Sequence, residues 1–215
     1  MIAEFIVAAA MSAAAAPPAL PERLRSGPTQ KQQVEGRKVL MSFGECVADA
    51  EPALARDYVL TDGADTDSPE WNDLVDPRCM RLHGGELRMQ SFFFRGALAE
   101  RLIDKKLPQD ALDKVADLAP LNATFPGDDP FAQNYTYMYR IGECVVRTDT
   151  ASARELLSTR IDSKDEADAI RTLSPAISGC VPQGEQVQID RVRLRLGLAT
   201  MYYRLADALA PESEA

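Results

Sequence analysis

The sequence has few of the residues from which common catalytic and metal sites are built. Its 215 residues include one histidine and four cysteines, and no two cysteines are spaced as C-x-x-C. A zinc site or a redox-active cysteine pair would therefore lack its usual spacing, and no G-x-S-x-G motif indicates a serine hydrolase. A nucleophilic Ser-His or Cys-His pair would have to use His83, which precedes a glycine turn. We interpret His83 as a solvated loop residue and predict neither a metal nor a cofactor.

Clustered positive charge and long apolar runs are also missing. Acidic residues outnumber basic ones by 33 to 24, giving a net charge of −9, and no run of Lys or Arg forms a patch. We therefore expect no nucleic-acid surface and no binding to an anionic membrane. No segment approaches the roughly twenty apolar residues of a transmembrane helix. The composition, with 46% hydrophobic residues, is typical of a globular protein, and we predict that the mature chain is soluble.

Residues 1–16, MIAEFIVAAAMSAAAA, differ in composition from the rest of the chain. Their apolar, Ala-rich core followed by small residues resembles a secretory signal peptide, with cleavage after Ala14 or Ala15. The basic residues that usually precede such a core are missing, and Glu4 stands there instead. An Ala-rich N-terminus on a cytosolic protein is the alternative. We predict export to the periplasm or the medium, with residues 17–28 as a flexible segment of the mature protein.

The strongest pattern is an internal repeat. Residues 44–61, GECVADAEPALARDYVLT, align without a gap with residues 142–159, GECVVRTDTASARELLST. Later matches, with small insertions between them, are Pro77/Pro175, Cys79/Cys180, Gly84/Gly184, Arg95/Arg195 and Leu98-Ala99/Leu198-Ala199. The chain is therefore predicted to be a tandem duplication of a module of about 75 residues. Module 1 covers residues 29–106, a connector covers 107–130, and module 2 covers 131–210.

The hydrophobic pattern of both modules predicts an all-α fold. Apolar residues three and four apart place each GECV segment on an amphipathic helix; they are Leu40, Phe43, Val47, Met138, Ile141 and Val145. Glu45 and Glu143 would point about 160° away from this apolar stripe. The glycine of each GECV segment costs a helix about 0.5–1 kcal/mol, so we expect another backbone to pass close to it.

The second half of each module adds three further expectations. Ser163 and Glu166 form a capping box at the start of a helix. Each module ends in a helix, at about 91–106 and 190–209, and the second is apolar on two opposite faces and should be buried. Alternating apolar residues in 86–90 and 185–190 allow at most a small two-stranded ribbon between the modules. The connector is predicted to hold one helix and then a loop.

The four cysteines, two per module at matching positions, predict two disulfides. Three pairings are possible, and the duplication favours Cys46–Cys79 with Cys144–Cys180 because each module then carries its own bridge. Each bridge would close a loop of about 35 residues and stabilise the fold by roughly 3–4 kcal/mol. A Cys46–Cys144 bond would instead mean that the two GECV helices face each other.

Three charged pairs recur in both modules, namely Glu45/Glu143, Arg56/Arg154 and Arg95/Arg195. They could line a groove shared by the modules and bind a polar or anionic ligand, but ion pairs within a module and caps at helix ends are the commoner role. Asp62, Asp65 and Asp67 share one segment, which lacks the glycine and the final glutamate of an EF-hand loop. We interpret them as solvated or helix-capping residues.

The pattern GECV…C…RG-LAE, with its second copy, resembles uncharacterised exported proteins of alphaproteobacteria that carry this module in tandem. The resemblance covers most of the mature chain. It implies a periplasmic setting and the intramodule disulfide pairing, and it brings no known activity or site residues.

The leading functional prediction is a non-catalytic envelope protein that binds a partner, such as another envelope protein, or a ligand through its helix faces. The alternative is an envelope hydrolase that uses carboxylates as acid and base. A deep pocket with several convergent polar side chains would favour the enzyme, and a broad apolar groove would favour binding.

Overall fold

A computed structural model describes residues 29–62, 74, 77–83, 89–184 and 189–210. Across these residues the chain forms eight α-helices and one 3₁₀ helix, which confirms the all-α prediction. Module 1 contributes α1 (Gln30–Ala50), α2 (Pro52–Leu60), α3 (Pro77–His83) and α4 (Ser91–Lys106). Module 2 contributes α5 (Pro130–Thr148), α6 (Thr150–Ser158), α7 (Lys164–Cys180) and α8 (Arg191–Leu209), and the 3₁₀ helix (Val115–Asp117) lies in the connector.

Several predicted features lie outside the described residues. They include the signal peptide, the segment 17–28, and most of the two strand segments. The described ends of those segments, residues 89–90 and 189–190, have no strand structure and lead directly into α4 and α8. None of the helices in the described part of the chain combines the length and the apolarity needed to span a bilayer.

The two core helices, α4 and α8, cross each other at equivalent positions of the repeat. A Cβ atom added to Gly96 would lie 2.4 Å from the Cβ of Leu196, so only glycine fits at this crossing. Positions 96 and 196 follow the matching residues Arg95 and Arg195. Equivalent residues of two repeats touch each other where a two-fold axis passes between them. In repeats that stack in one direction, equivalent residues stay one repeat apart and do not touch. The modules are therefore related by an approximate two-fold rotation.

The glycine of each GECV segment lies against the core helix of its own module. A Cβ at Gly44 would lie 2.6 Å from the Cβ of Ala97, and a Cβ at Gly142 would lie 2.9 Å from the carbonyl oxygen of Gly197. The two contacts are equivalent in the repeat. The expected close approach of a second backbone is therefore confirmed in both modules.

The two modules share their hydrophobic interior. Every residue of α8 from Leu194 to Ala206 is buried, which confirms that this helix is apolar on both sides. The main apolar cluster combines Phe43, Phe94 and Leu98 of module 1 with residues of α5 to α8, and a second cluster also draws on both modules. Neither module encloses its core alone.

Both disulfides form within a module, as the duplication predicted. Cys46 bonds Cys79 and ties α1 to α3, with their Cα atoms 5.7 Å apart. Cys144 bonds Cys180 and ties α5 to the end of α7, with their Cα atoms 5.8 Å apart. The alternative bond between the two GECV helices is thereby excluded.

The predicted capping box at the start of α7 is only half formed. The Ser163 hydroxyl accepts a hydrogen bond from the backbone N–H of Glu166 at 3.0 Å, so Ser163 caps the helix as expected. The Glu166 side chain accepts instead from the backbone N–H of Asp162 at 2.9 Å. Asp162 has a positive φ of 59°, a conformation that aspartate tolerates better than most residues.

The connector contains turns and the short 3₁₀ helix where an α-helix was expected. Arg147 of α5 donates hydrogen bonds to the carbonyl oxygens of Val115 at 2.7 Å, Leu118 at 2.9 Å and Ala119 at 2.9 Å. Glu143 accepts from the backbone N–H of Leu121 at 2.9 Å. Glu143 is thus buried beneath the connector rather than solvated, because this backbone takes its partners from side chains of α5.

Removing the bridge of module 2 by replacing Cys144 and Cys180 with alanine should lower the free energy of unfolding by about 2–4 kcal/mol, because the unfolded chain gains loop entropy. Urea denaturation under oxidising conditions measures the change. The matching alanine variant of Cys46 and Cys79 should behave alike, since the two loops have similar sequence separations of 33 and 36. An unchanged midpoint in both variants would contradict the stabilising role.

Candidate functional site

An open cleft lies where the two modules meet. Its walls are α1 and α4 of module 1 and the turn between α6 and α7 of module 2, and its volume is about 610 Å³. The charged residues that line it are Lys38, Glu45, Glu100, Arg101, Asp104, Arg160 and Asp162. Polar side chains from both modules thus converge on one concave surface.

Apart from Asp162, whose side chain is 9% exposed, the most deeply placed of these charges is Glu100, whose side chain is 13% exposed. Its two carboxylate oxygens accept hydrogen bonds from Nε and Nη2 of Arg195, at 2.8 and 2.6 Å. Arg195 is itself buried and also donates to the Glu166 carboxylate at 2.9 Å and to the carbonyl oxygens of Leu157 and Thr159. One guanidinium therefore joins the modules, neutralises two carboxylates and caps the end of α6.

The surroundings of this ion pair shift the pKa values of both partners. Burial raises the pKa of the Glu100 carboxyl, and the hydrogen bonds from Arg195 oppose that shift. Burial alone would lower the pKa of Arg195, but Glu100 and Glu166 outweigh it and raise the pKa. Because Arg195 directs N–H groups at both oxygens, Glu100 is held as a carboxylate. Each oxygen thus already accepts a hydrogen bond from a buried cation.

Three other charged residues of the cleft have no partner in the described part of the chain. Lys38, Glu45 and Arg160 are exposed, and among the described residues their side chains form no hydrogen bond or ion pair. By contrast, Arg101 is engaged by Asp49 at 2.8 Å and by Asp104 at 3.2 Å. The charges available to a ligand are therefore of both signs.

The two-fold relation places an equivalent region between α5, α8 and the end of α2. Tyr139 there occupies the position of Met41, and Arg204 occupies the position of Asp104. The Arg204 guanidinium lies 5.5 Å from the centre of the Tyr139 ring, and both side chains are buried. In the described part of the counterpart, large buried side chains thus stand where the open cleft has Met41 and Asp104.

Hydrogen bonds hold Arg204 in that position. Its Nε donates to the carbonyl oxygen of Val59 at 2.7 Å and its Nη2 to that of Thr61 at 3.2 Å, and it forms an ion pair with Asp62. Val59 and Thr61 are the repeat equivalents of the two residues whose carbonyls Arg195 binds. The ends of α2 and α6 are therefore both capped by arginines of α8, although the two arginines occupy different positions in that helix.

The repeated arginines also act at helix ends, and two of the four, Arg56 and Arg154, do so outside their own module. Arg56 pairs with Asp207 near the end of α8 at 2.9 Å. Arg154 donates to the carbonyl oxygen of Leu107 at the end of α4, at 3.0 Å. Arg95 donates to the carbonyl of Tyr58 at 3.1 Å, and to the Tyr139 hydroxyl. Helix capping was expected correctly. The expected ion pairs within a module form between Arg195 and Glu166 and between Arg147 and Glu143, whereas Arg56 pairs only across the module boundary, apart from its neighbour Asp57.

The remaining candidates of the sequence do not join the cleft. His83 is the last residue of α3, in a helix rather than a loop, and its side chain lies outside the described part. Asp62 pairs with Arg204, while Asp65 and Asp67 are outside the described residues. In the described ranges no group of three His, Cys, Asp or Glu residues could hold a metal ion.

Sequence reasoning missed Glu100 and Arg204, and it predicted for Glu166 only a role in a capping box, not the bond with Arg195. The search considered residues that both copies share. These three differ between the copies, since Glu100 is aligned with Thr200 and Arg204 with Asp104. A comparison of the differences between the copies would have found them.

Comparison with known proteins does not assign the chain to a family. The chain matches no protein-family model, and neither a curated protein nor a solved structure matches it. The resemblance to exported alphaproteobacterial proteins therefore stays an expectation.

Replacing Arg195 with methionine should cost about 3–5 kcal/mol of stability at neutral pH, since the Glu100 carboxylate would stay buried without a cation. In this variant the folded-state pKa of the Glu100 carboxyl would lie above the unfolded value of about 4.3, because burial raises it. The loss should therefore shrink as pH falls towards about 5 and grow as pH rises. Urea denaturation at the two pH values measures this, with the exposed Arg140→Met as control. A loss independent of pH would contradict the ion-pair role.

Proposed function

We propose that this chain is an exported, non-catalytic binding protein of the bacterial envelope that holds a small polar ligand in the cleft between its modules. One observation carries the proposal. Of two positions made equivalent by the duplication, one holds the buried side chains of Tyr139 and Arg204 in its described part, and the other is an open cleft of about 610 Å³. This volume is within the range of about 300–1,000 Å³ that is common for small-molecule sites.

The charges of the cleft support a ligand that carries both signs. Lys38 and Arg160 can bind a carboxylate, and Glu45 can bind an amino group, while the other charged residues of the walls already pair within the protein. A short peptide with free ends has this chemistry, and the exposed position of these side chains allows them to adjust to it.

The state of Glu100 argues against catalysis. A carboxylate hydrolase needs one acid and one base at the scissile bond, and both oxygens of Glu100 are bound by Arg195. The hydrolase remains the second candidate, because Glu45 lies in the same cleft and burial raises the pKa of Glu100.

The export part of the proposal is supported by the two disulfides, which persist in oxidising compartments. It is also supported by the leader-like residues 1–16 and by the resemblance to exported proteins. An envelope protein as a further partner is compatible with this location.

The cleft can be closed with a residue that the repeat already uses. Position 42 is serine in module 1, and its equivalent in module 2 is Arg140. Calorimetry should detect binding of trialanine with free ends, weaker binding of its acetylated amide, and no binding of either by Ser42→Arg. Glu35→Gln, an exposed change on α1 outside the cleft, should bind like the unmodified chain.

Two outcomes of this experiment count against the proposal. Unchanged binding by Ser42→Arg would place the site elsewhere. Release of free alanine that stops in Glu45→Gln would identify a hydrolase and overturn the non-catalytic assignment.

Export makes a separate prediction. N-terminal sequencing of the mature protein should begin at Ala15 or Ala16, because the apolar core and small residues before them fit signal-peptidase cleavage. Protein that retains Met1 and is recovered from the cytosol would show that the leader assignment is wrong.

A further inference from the structure

A second concave surface lies on the other side of the wall that Arg37 and Asp162 form. Arg37 donates to both oxygens of Asp162, at 2.8 and 2.6 Å, and this ion pair joins α1 to the turn before α7. Asp162 borders the open cleft on one side and this second surface on the other. The surface, which we call the N-terminal groove, lies between the N-terminal halves of α1, α4 and α8 and encloses about 1070 Å³.

The floor of the N-terminal groove is apolar. Val34 and Leu40 line it from α1, Met89 and Phe93 from the start of α4, and Val192 from α8. Phe93 contacts the ring of Tyr135 edge-on, with 6.0 Å between the ring centres, so aromatic packing holds it in place. All but Leu40 remain partly exposed. The groove is therefore broad and partly apolar, a type of surface that favours binding of a chain segment.

The walls of the groove carry an excess of positive charge. Three arginines, Arg37, Arg191 and Arg193, stand against two aspartates, Asp162 and Asp190. Both aspartates are already used, Asp162 by Arg37 and Asp190 as the cap that accepts from the backbone N–H groups at the start of α8. The charged residues that line the groove thus sum to +1, on a chain whose net charge is −9.

Two of the arginines have hydrogen-bond donors that are not used within the described part of the chain. The guanidinium of Arg191 is about half exposed, and its nearest carboxylate oxygens, on Asp162 and Glu166, lie 3.6 and 3.8 Å away. Arg193 contacts Asp190 at 3.2 Å, and its Nε is buried with no hydrogen-bond partner among the described residues. Both can therefore turn towards an anionic occupant.

We propose that the N-terminal groove binds an extended segment of a partner protein in which acidic and apolar side chains alternate. In an extended chain, successive side chains point to opposite sides. One set can then pack on the floor around Val34 and Phe93 while the carboxylates of the other set reach Arg191 and Arg193. The N-terminal ends of α4 and α8 also face the groove and favour negative charge there. This site is distinct from the open cleft.

Fluorescence anisotropy tests the proposal on the full mature chain. The probes are two labelled hexapeptides, one in which aspartate and leucine alternate and one in which lysine and leucine alternate. We expect binding of the acidic peptide only, weakened by added salt because the contacts are ionic. The double variant Arg191→Ser with Arg193→Ser should weaken this binding by about tenfold or more.

A second variant covers the case in which the double substitution disturbs the start of α8. Val34→Glu leaves all three arginines in place and adds a negative charge to the floor, so it should weaken binding by a similar factor. Arg140→Ser, which removes an exposed arginine of α5 outside the groove, should bind the acidic peptide like the unmodified chain.

Each other outcome overturns the proposal. No binding of the acidic peptide at low salt, equal binding of the two peptides, or binding that survives both groove variants would show that the groove does not recognise this chemistry. Flotation with anionic lipid vesicles that is lost in Val34→Glu, without peptide binding, would assign the groove to a membrane surface. Concentration-dependent dimerisation that is lost in the same variant would assign it to a second copy of the chain. Ser42→Arg, which closes the cleft, should leave peptide binding unchanged, so failure here is separable from failure of the cleft.

Discussion

The crossing of α4 and α8 at Gly96 and Leu196 is the contact on which the rest of the structure depends. Without a Cβ at position 96 the two helices approach to backbone contact, and this fixes the two-fold relation of the modules. The residues next to the crossing, Arg95 and Arg195, are then buried with it. A buried guanidinium must find several acceptors. The helix ends around the crossing supply them.

Arginines of each module accordingly cap helices or bind carboxylates of the other module. Arg56 reaches the end of α8, Arg154 the end of α4, and Arg204 the end of α2. Each of these arginines provides a partner for a carboxylate or for the last carbonyl groups of a helix, which would otherwise lack one. Such bonds act over short distances and require defined directions. They position the modules more specifically than apolar contact would, and the shape of the cleft follows from that position.

A structural feature could be predicted from the sequence when both copies of the repeat carry the residues for it. Gly44 and Gly142, and the four cysteines, occur twice, so their roles followed from the repeat together with simple helix geometry. Glu143 was expected at the surface, but a connector with no counterpart in the repeat covers it. The cleft and the N-terminal groove lie between elements of both modules. Helical periodicity describes one element at a time and contains no information on such contacts.

The two-fold axis has a consequence for how such a chain can change. In a dimer of identical subunits every substitution appears on both sides of the axis, so two equivalent surfaces stay alike. Here one polypeptide contains both halves, and each can acquire its own residues. Asp104 and Arg204, Met41 and Tyr139, and Glu100 and Thr200 are pairs of this kind. Covalent joining of the halves thus permits one side to contribute a solid core while the other keeps an opening.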